Sequence, residues 1–107
     1  MKLIIAIINR DDAKAVTQSL TKQGFSSTRL STTGGFLLSG NVTILVGVDA
    51  ERVQEVIDVI KEHSHSRKQM IPASTDVTPN AYAPANVEVT VGGATIFVVD
   101  VDRYEHF

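Results

Sequence analysis

Cysteine is absent from the 107 residues of this chain, which removes disulfides, thiolate metal sites and cysteine nucleophiles from consideration and fits a reducing cytoplasm. An excess of charge is also missing. Ten Lys and Arg stand against twelve Asp and Glu, a net of −2, so there is no basic footprint for a nucleic-acid polymer. A small anion stays within reach, because backbone N–H groups and one or two cations hold it without a basic surface. No long hydrophobic run occurs. Leu3–Ile8 is far too short to span a membrane and lacks a signal peptide's cleavage pattern, so it is expected to be a strand. No Gly-Lys-Ser/Thr follows the glycine pair Gly34-Gly35, so there is no Walker loop. Gly-x-Ser-x-Gly is absent, and no Ser/His/Asp triad follows from spacing. Asp11, Asp12, Asp49, Glu51, Asp100 and Asp102 sit mostly at expected helix starts or strand exits, where capping and solvation account for them. The chain is therefore expected not to be an enzyme.

What is present reads as one domain over 1–107. A domain of this size buries only about two-thirds of its unfolded surface, so oligomerisation would help it. Leu3–Ile8 is β-branched and apolar on both faces, as in a covered central strand. Asn9 or Asp11 is placed to cap a helix carrying Ala13, Val16, Leu20 and Gln23 on one face, with Gly24 ending it. Phe25–Ser31 alternates, Asn41–Val48 reads as a second buried strand, and Asp49 is expected to cap a helix with Val53, Val56, Ile57 and Ile60 on its apolar face. Gln69–Ile71 forms a short strand. All three prolines then fall within a loop of about 72–86 that has no strand or helix period. Val87–Val91 and Ala94–Val99 flank Gly92-Gly93, a two-residue hairpin signal. The order β-α-β-β-α-β predicts an α+β fold, a ferredoxin-like split β-α-β with a C-terminal β-hairpin and both helices on one sheet face. The apolar second face is expected to pack on other subunits.

The segment Ser31–Asn41 is the richest in chemistry. Gly34 and Gly35 let backbone approach a ligand, and free N–H groups there can form an anion nest. Phe36 and Leu37 offer apolar surface to a planar base, and Asn41 can pair a donor and an acceptor with an adenine edge. An ordinary hairpin connection would use the glycines in the same way. Arg29, beside this segment, is the cation best placed in sequence to meet a phosphate. Arg52 and Arg67-Lys68 read as surface charges. His63 and His65 lack the further ligands that a structural metal site needs, so no metal and no cofactor are expected.

Thr32-Thr33-Gly34-Gly35-Phe36-Leu37 followed by Ser39-Gly40-Asn41 resembles the signature of the PII-like cyclic-di-AMP receptor family. Val87-Glu88-Val89 continuing to Val91-Gly92-Gly93-Ala94-Thr95-Ile96-Phe97-Val98 is a second match. The resemblance covers essentially the whole chain. It implies a PII-like homotrimer of ferredoxin-like subunits with cyclic-di-AMP at the subunit interfaces. It also implies cytoplasmic signalling in Gram-positive bacteria through an unidentified downstream protein, with no membrane partner. Ligand contacts carry over to Thr28, Gly35, Phe36, Leu37, Asn41, Gly47 and Phe97. Two positions depart from the pattern: Ser26 stands where the family often has Arg, and His106 where it often has Gln. Loss of a guanidinium beside a phosphate removes on the order of 1.5–3 kcal/mol, or roughly ten- to hundredfold in affinity. Three functions follow as expectations. The first is a receptor whose ligand rearranges the 72–86 loop and the glycine segment. The second is a PII-like interaction module that binds another nucleotide or none. The third, motivated only by the histidines, is a metal-handling trimer of the same fold.

Overall fold

Asn9 closes the first strand and opens the first helix: its side chain accepts the Asp11 N–H at 2.8 Å, so this residue, not Asp11, is the cap. The computed structural model describes residues 1–30, 40–71 and 87–107. Strand β1 (Lys2–Asn9) leads into α1 (Arg10–Lys22), then β2 (Thr28–Leu30) and β3 (Asn41–Val48). A 3-10 turn over Ala50–Arg52 precedes α2 (Val53–Ser64), followed by β4 (Arg67–Ile71), β5 (Val87–Val91) and β6 (Ala94–Asp100). Asp49 makes no side-chain cap bond. Its carbonyl accepts from Arg52 N–H at 2.9 Å, which closes the 3-10 turn and delays the helix by three residues.

The main sheet has the order β2-β3-β1-β6, antiparallel throughout. The central pair aligns Ile5 with Leu45, and β6 lies on the other edge of β1 with Phe97 against Ile5. This is the expected α+β arrangement with the split β-α-β order. Both helices cover one face. Ile4, Ala6, Ile8, Val42, Ile44, Val46 and Val48 from the sheet meet Ala13, Val16 and Leu20 of α1 and Val56, Val59 and Ile60 of α2. Val59 belongs to this core while Ile57 is only half-buried, because the helix presents a broad stripe and not a single row. Phe25 closes one end, with the Arg52 guanidinium 4.2 Å from its ring centre. Arg52 also donates to Glu55 at 2.8 Å and to the Gln23 carbonyl at 3.5 Å, tying the start of α2 to the end of α1.

The C-terminal hairpin expected between Val87–Val91 and Ala94–Val99 does not form. Strand β5 pairs with β4, from Arg67 opposite Val91 to Ile71 opposite Val87, in a separate two-stranded sheet. Gly92 and Gly93 have φ of +82° and +80°, values that a tight hairpin also uses. The pairing nevertheless goes elsewhere, since the open edge of β1 takes up β6 and β4 takes up β5. Arg67 is not a free surface charge either. Its guanidinium grips the buried Asp12 of α1 with two hydrogen bonds, Nη2 to Oδ1 at 3.0 Å and Nη1 to Oδ2 at 3.3 Å.

Candidate functional site

Side chains alternate across a strand, so burial of Ile4, Ala6 and Ile8 turns Leu3, Ile5 and Ile7 to the face opposite the helices. An antiparallel sheet that faces water on one side carries polar residues there. This one carries leucine and isoleucine, with Leu45 from β3 and with Phe97 and Val99 from β6, the last two 53% and 43% exposed. An open face this apolar is unusual for a sheet surface in contact with water.

The same register places the sequence-predicted site. Thr28 lies opposite Leu45, Leu45 opposite Ile5 and Ile5 opposite Phe97, one row running across all four strands. Gly47 lies one row away, opposite Leu3. Asn41 shares that face at the other end of β3, beside Asn9. Thr28, Asn41, Gly47 and Phe97 therefore all belong to the face that the helices leave open. Gly35, Phe36 and Leu37, and the 72–86 loop, lie outside the described residues.

The four do not converge within one chain. Six residues of strand separate Asn41 from Gly47, roughly 20 Å at the usual rise. Thr28 and Gly47 line a cleft of about 380 Å³ together with Met1, Leu3, Ser26, Leu45, Val101 and Tyr104. That volume lies at the small end of ligand sites. Asn41 instead borders a smaller hollow of about 140 Å³ with Ile7, Ile8, Gly92, Gly93, Ala94 and Thr95.

The cleft offers hydroxyls from Ser26, Thr28 and Tyr104 over an apolar floor, and among the described residues no Lys, Arg or His side chain lines it. Arg29 does not fill the gap. It pairs with Ile44, whose side chain is in the core, so alternation turns Arg29 away from the face that holds Ser26 and Thr28. Among the described residues nothing sterically requires glycine at position 47: an added Cβ would meet Met1 Cε alone, at 3.9 Å. Glycine inside a strand weakens it and marks close approach of another group.

Met1, Leu3, Leu45, Val101 and Tyr104 are the members that sequence pattern missed. The tail reaches the cleft because Val101 N–H donates to the Met1 carbonyl at 3.2 Å and Lys2 pairs with Asp100. That contact, led by the hydrogen bond from Lys2, holds the Asp100 carboxyl below its ordinary pKa. Two aromatic residues, Tyr104 and Phe107, in a mostly charged tail were the available signal. The terminal His106 and Phe107 are fully or largely exposed. His63 is half-buried and His65 exposed. Among the described residues no three His, Asp or Glu side chains are grouped to hold a metal ion, and no helix is long and apolar enough to cross a membrane.

The whole chain matches known proteins as well. A family model described as "Cyclic-di-AMP receptor" matches residues 1–107. The crystal structure of a functionally unknown protein from Pediococcus pentosaceus ATCC 25745 aligns at 42% sequence identity with a TM-score of 0.74, over 99% of this chain and 96% of that one. The chain belongs to the cyclic-di-AMP receptor family, which is PII-like.

Proposed function

We propose that this protein binds cyclic-di-AMP between the subunits of a homotrimer in the cytoplasm and relays that state to a downstream protein. One observation carries the reading: Thr28, Asn41, Gly47 and Phe97 lie on the single sheet face that the helices leave open. Two of them are too far apart to meet one base within a subunit, so a site composed from neighbouring copies brings such residues together. Gly35, Phe36 and Leu37 complete the proposed contacts. The cleft beside Gly47, with hydroxyls and an apolar floor, suits a nucleobase. Calorimetry with purified protein tests this directly. Heat of binding with cyclic-di-AMP is expected, and no heat at high micromolar ligand would overturn it.

A second reading has its own observation. Ser26 lines the cleft and, among the described residues, no cationic side chain does, so none of these offers a dianionic ligand a charge partner there. A PII-like interaction module that takes another nucleotide, or none, fits that chemistry. A thermal-shift panel of cyclic dinucleotides, ATP and ADP separates the two, because a ligand that binds only the folded state raises its stability.

A further inference from the structure

The first turn of α1 is joined to two segments that flank the proposed site. On one side, β1 ends at Asn9 opposite Asn41, and the next residue, Arg10, donates its backbone N–H to the carbonyl of Gly40. Gly40 directly follows the segment 31–39, which holds Gly35, Phe36 and Leu37. On the other side, Asp12 receives the two-pronged hydrogen bond from Arg67, the first residue of β4. Arg67 pairs across the small sheet with Val91, the last residue of β5. It is also hemmed in at Gly92, where a Cβ would come within 2.6 Å of its Nη1. Both roots of the β4–β5 sheet thus meet at one guanidinium, and that guanidinium is held by α1.

The contact has the properties of a fixed joint. Asp12 is only 7% exposed, so its carboxylate has little water to fall back on and depends on Arg67. A bidentate arginine–carboxylate pair fixes direction as well as distance. Within four consecutive residues, the chain therefore binds the flank of the glycine segment through backbone and the base of the β4–β5 sheet through a side chain.

We infer that the first turn of α1, acting through Asp12 and Arg67, couples Gly40 and Asn41, at the start of β3, to the β4–β5 sheet. Asp12 and Arg67 are positioning residues that touch no ligand. Displacement of Gly40 and Asn41 is transmitted through Arg10 to Asp12 and from there to Arg67. The signalling sense of this coupling rests on the proposed cyclic-di-AMP reading, whereas the joint itself is testable without ligand.

Residue-resolved amide exchange on the full-length protein is the test, comparing the parent with Arg67→Met, Asp12→Asn and the double variant. Each single change is expected to speed exchange roughly tenfold or more at the β4–β5 amides and at Arg10, the size set by losing a charge-assisted contact. Amides in mid-sheet, such as Ile5 and Ile44, should not move. The double variant should add nothing further, because both changes remove one contact. Faster exchange in β4–β5 with Arg10 unchanged would overturn the coupling. So would no change, or an equal change everywhere. If a variant fails to fold, Arg67→Lys, which keeps the charge and loses the fork, is judged by the same criteria. Cyclic-di-AMP is then added. In the parent its binding should alter exchange in β4–β5, and in the single variants binding heat should persist without that response; a response kept in full by the variants would overturn the coupling. No binding heat even in the parent would remove the cyclic-di-AMP reading, and the ligand-free exchange would still decide the joint.

Discussion

Gly47 and Met1 are close enough for ordinary packing and no closer: a Cβ on Gly47 would rest in van der Waals contact with Met1 Cε, at 3.9 Å. The subunit therefore has room for alanine there and gives up stability by carrying glycine. Gly47→Ala should fold normally and gain about 0.5–1 kcal/mol from the stiffer strand. If cyclic-di-AMP packs against Gly47 as proposed, its affinity for the variant should fall roughly tenfold or more, since overpacking a close contact costs about 1–3 kcal/mol. Chemical denaturation with calorimetry reads both quantities. A variant that is more stable and binds as well as the parent would remove Gly47 from the site.

Phe97 stands opposite Ile5 in the middle of the uncovered face, and it is 53% exposed in the single subunit. If that face is the trimer interface, Phe97→Asp places an unpaired charge among apolar groups, which costs several kcal/mol when buried. The parent should sediment as a trimer and the variant as a monomer that remains folded. A monomeric parent, or a trimeric variant, would show that this face serves another purpose.

Much of this was legible because period alone separates the core from the open face. The β-branched run Leu3–Ile8 and the stretch Asn41–Val48 announce central strands. Asn9, Gly24 and the spacing of Ala13, Val16 and Leu20 bound the first helix. The partner of Val87–Val91 was not legible. Gly92-Gly93 supplies the backbone angles of a hairpin, but which edge takes each strand depends on tertiary competition between β1 and β4. Arg67 looked like a surface charge because its neighbour Asp12 is 55 residues away in sequence. Tyr104 escaped notice for the same reason: only the pairing of β6 with β1 brings the tail to the cleft.

The two glycines between the sheets should respond unequally to substitution. Both have positive φ, so alanine at either costs about 1–2 kcal/mol in backbone strain. At Gly93 the nearest neighbour to an added Cβ is Ser66 Cβ, at 3.5 Å, an ordinary contact. At Gly92 the Cβ meets Arg67 Nη1 at 2.6 Å and the His65 carbonyl at 2.7 Å. The side chain can withdraw, but the carbonyl is backbone. Gly92→Ala should therefore be more destabilising than Gly93→Ala by about 1–3 kcal/mol. Equal denaturation midpoints for the two variants would contradict the packing seen at Arg67.

The ion pair that fastens the tail gives a pH-dependent prediction. Lys2 donates to Asp100 and holds its carboxyl below the ordinary value, which is about 3.9 in an unfolded chain. A depressed folded pKa adds stability that is present above the unfolded value and disappears as pH falls through the folded one. The effect is therefore confined to acid below about pH 4 and absent as a pH dependence near neutrality. Because Asp100 is exposed and screened by water, the stabilisation is small. The titration is the sharper readout. Carbon-detected NMR should find the Asp100 midpoint below that of an unfolded aspartate in the parent, and moved back up toward it in Lys2→Met. The same variant should loosen Tyr104 at the cleft, visible as broadened ring resonances. A midpoint for Asp100 that is identical in parent and variant would show that Lys2 does not hold the tail in place.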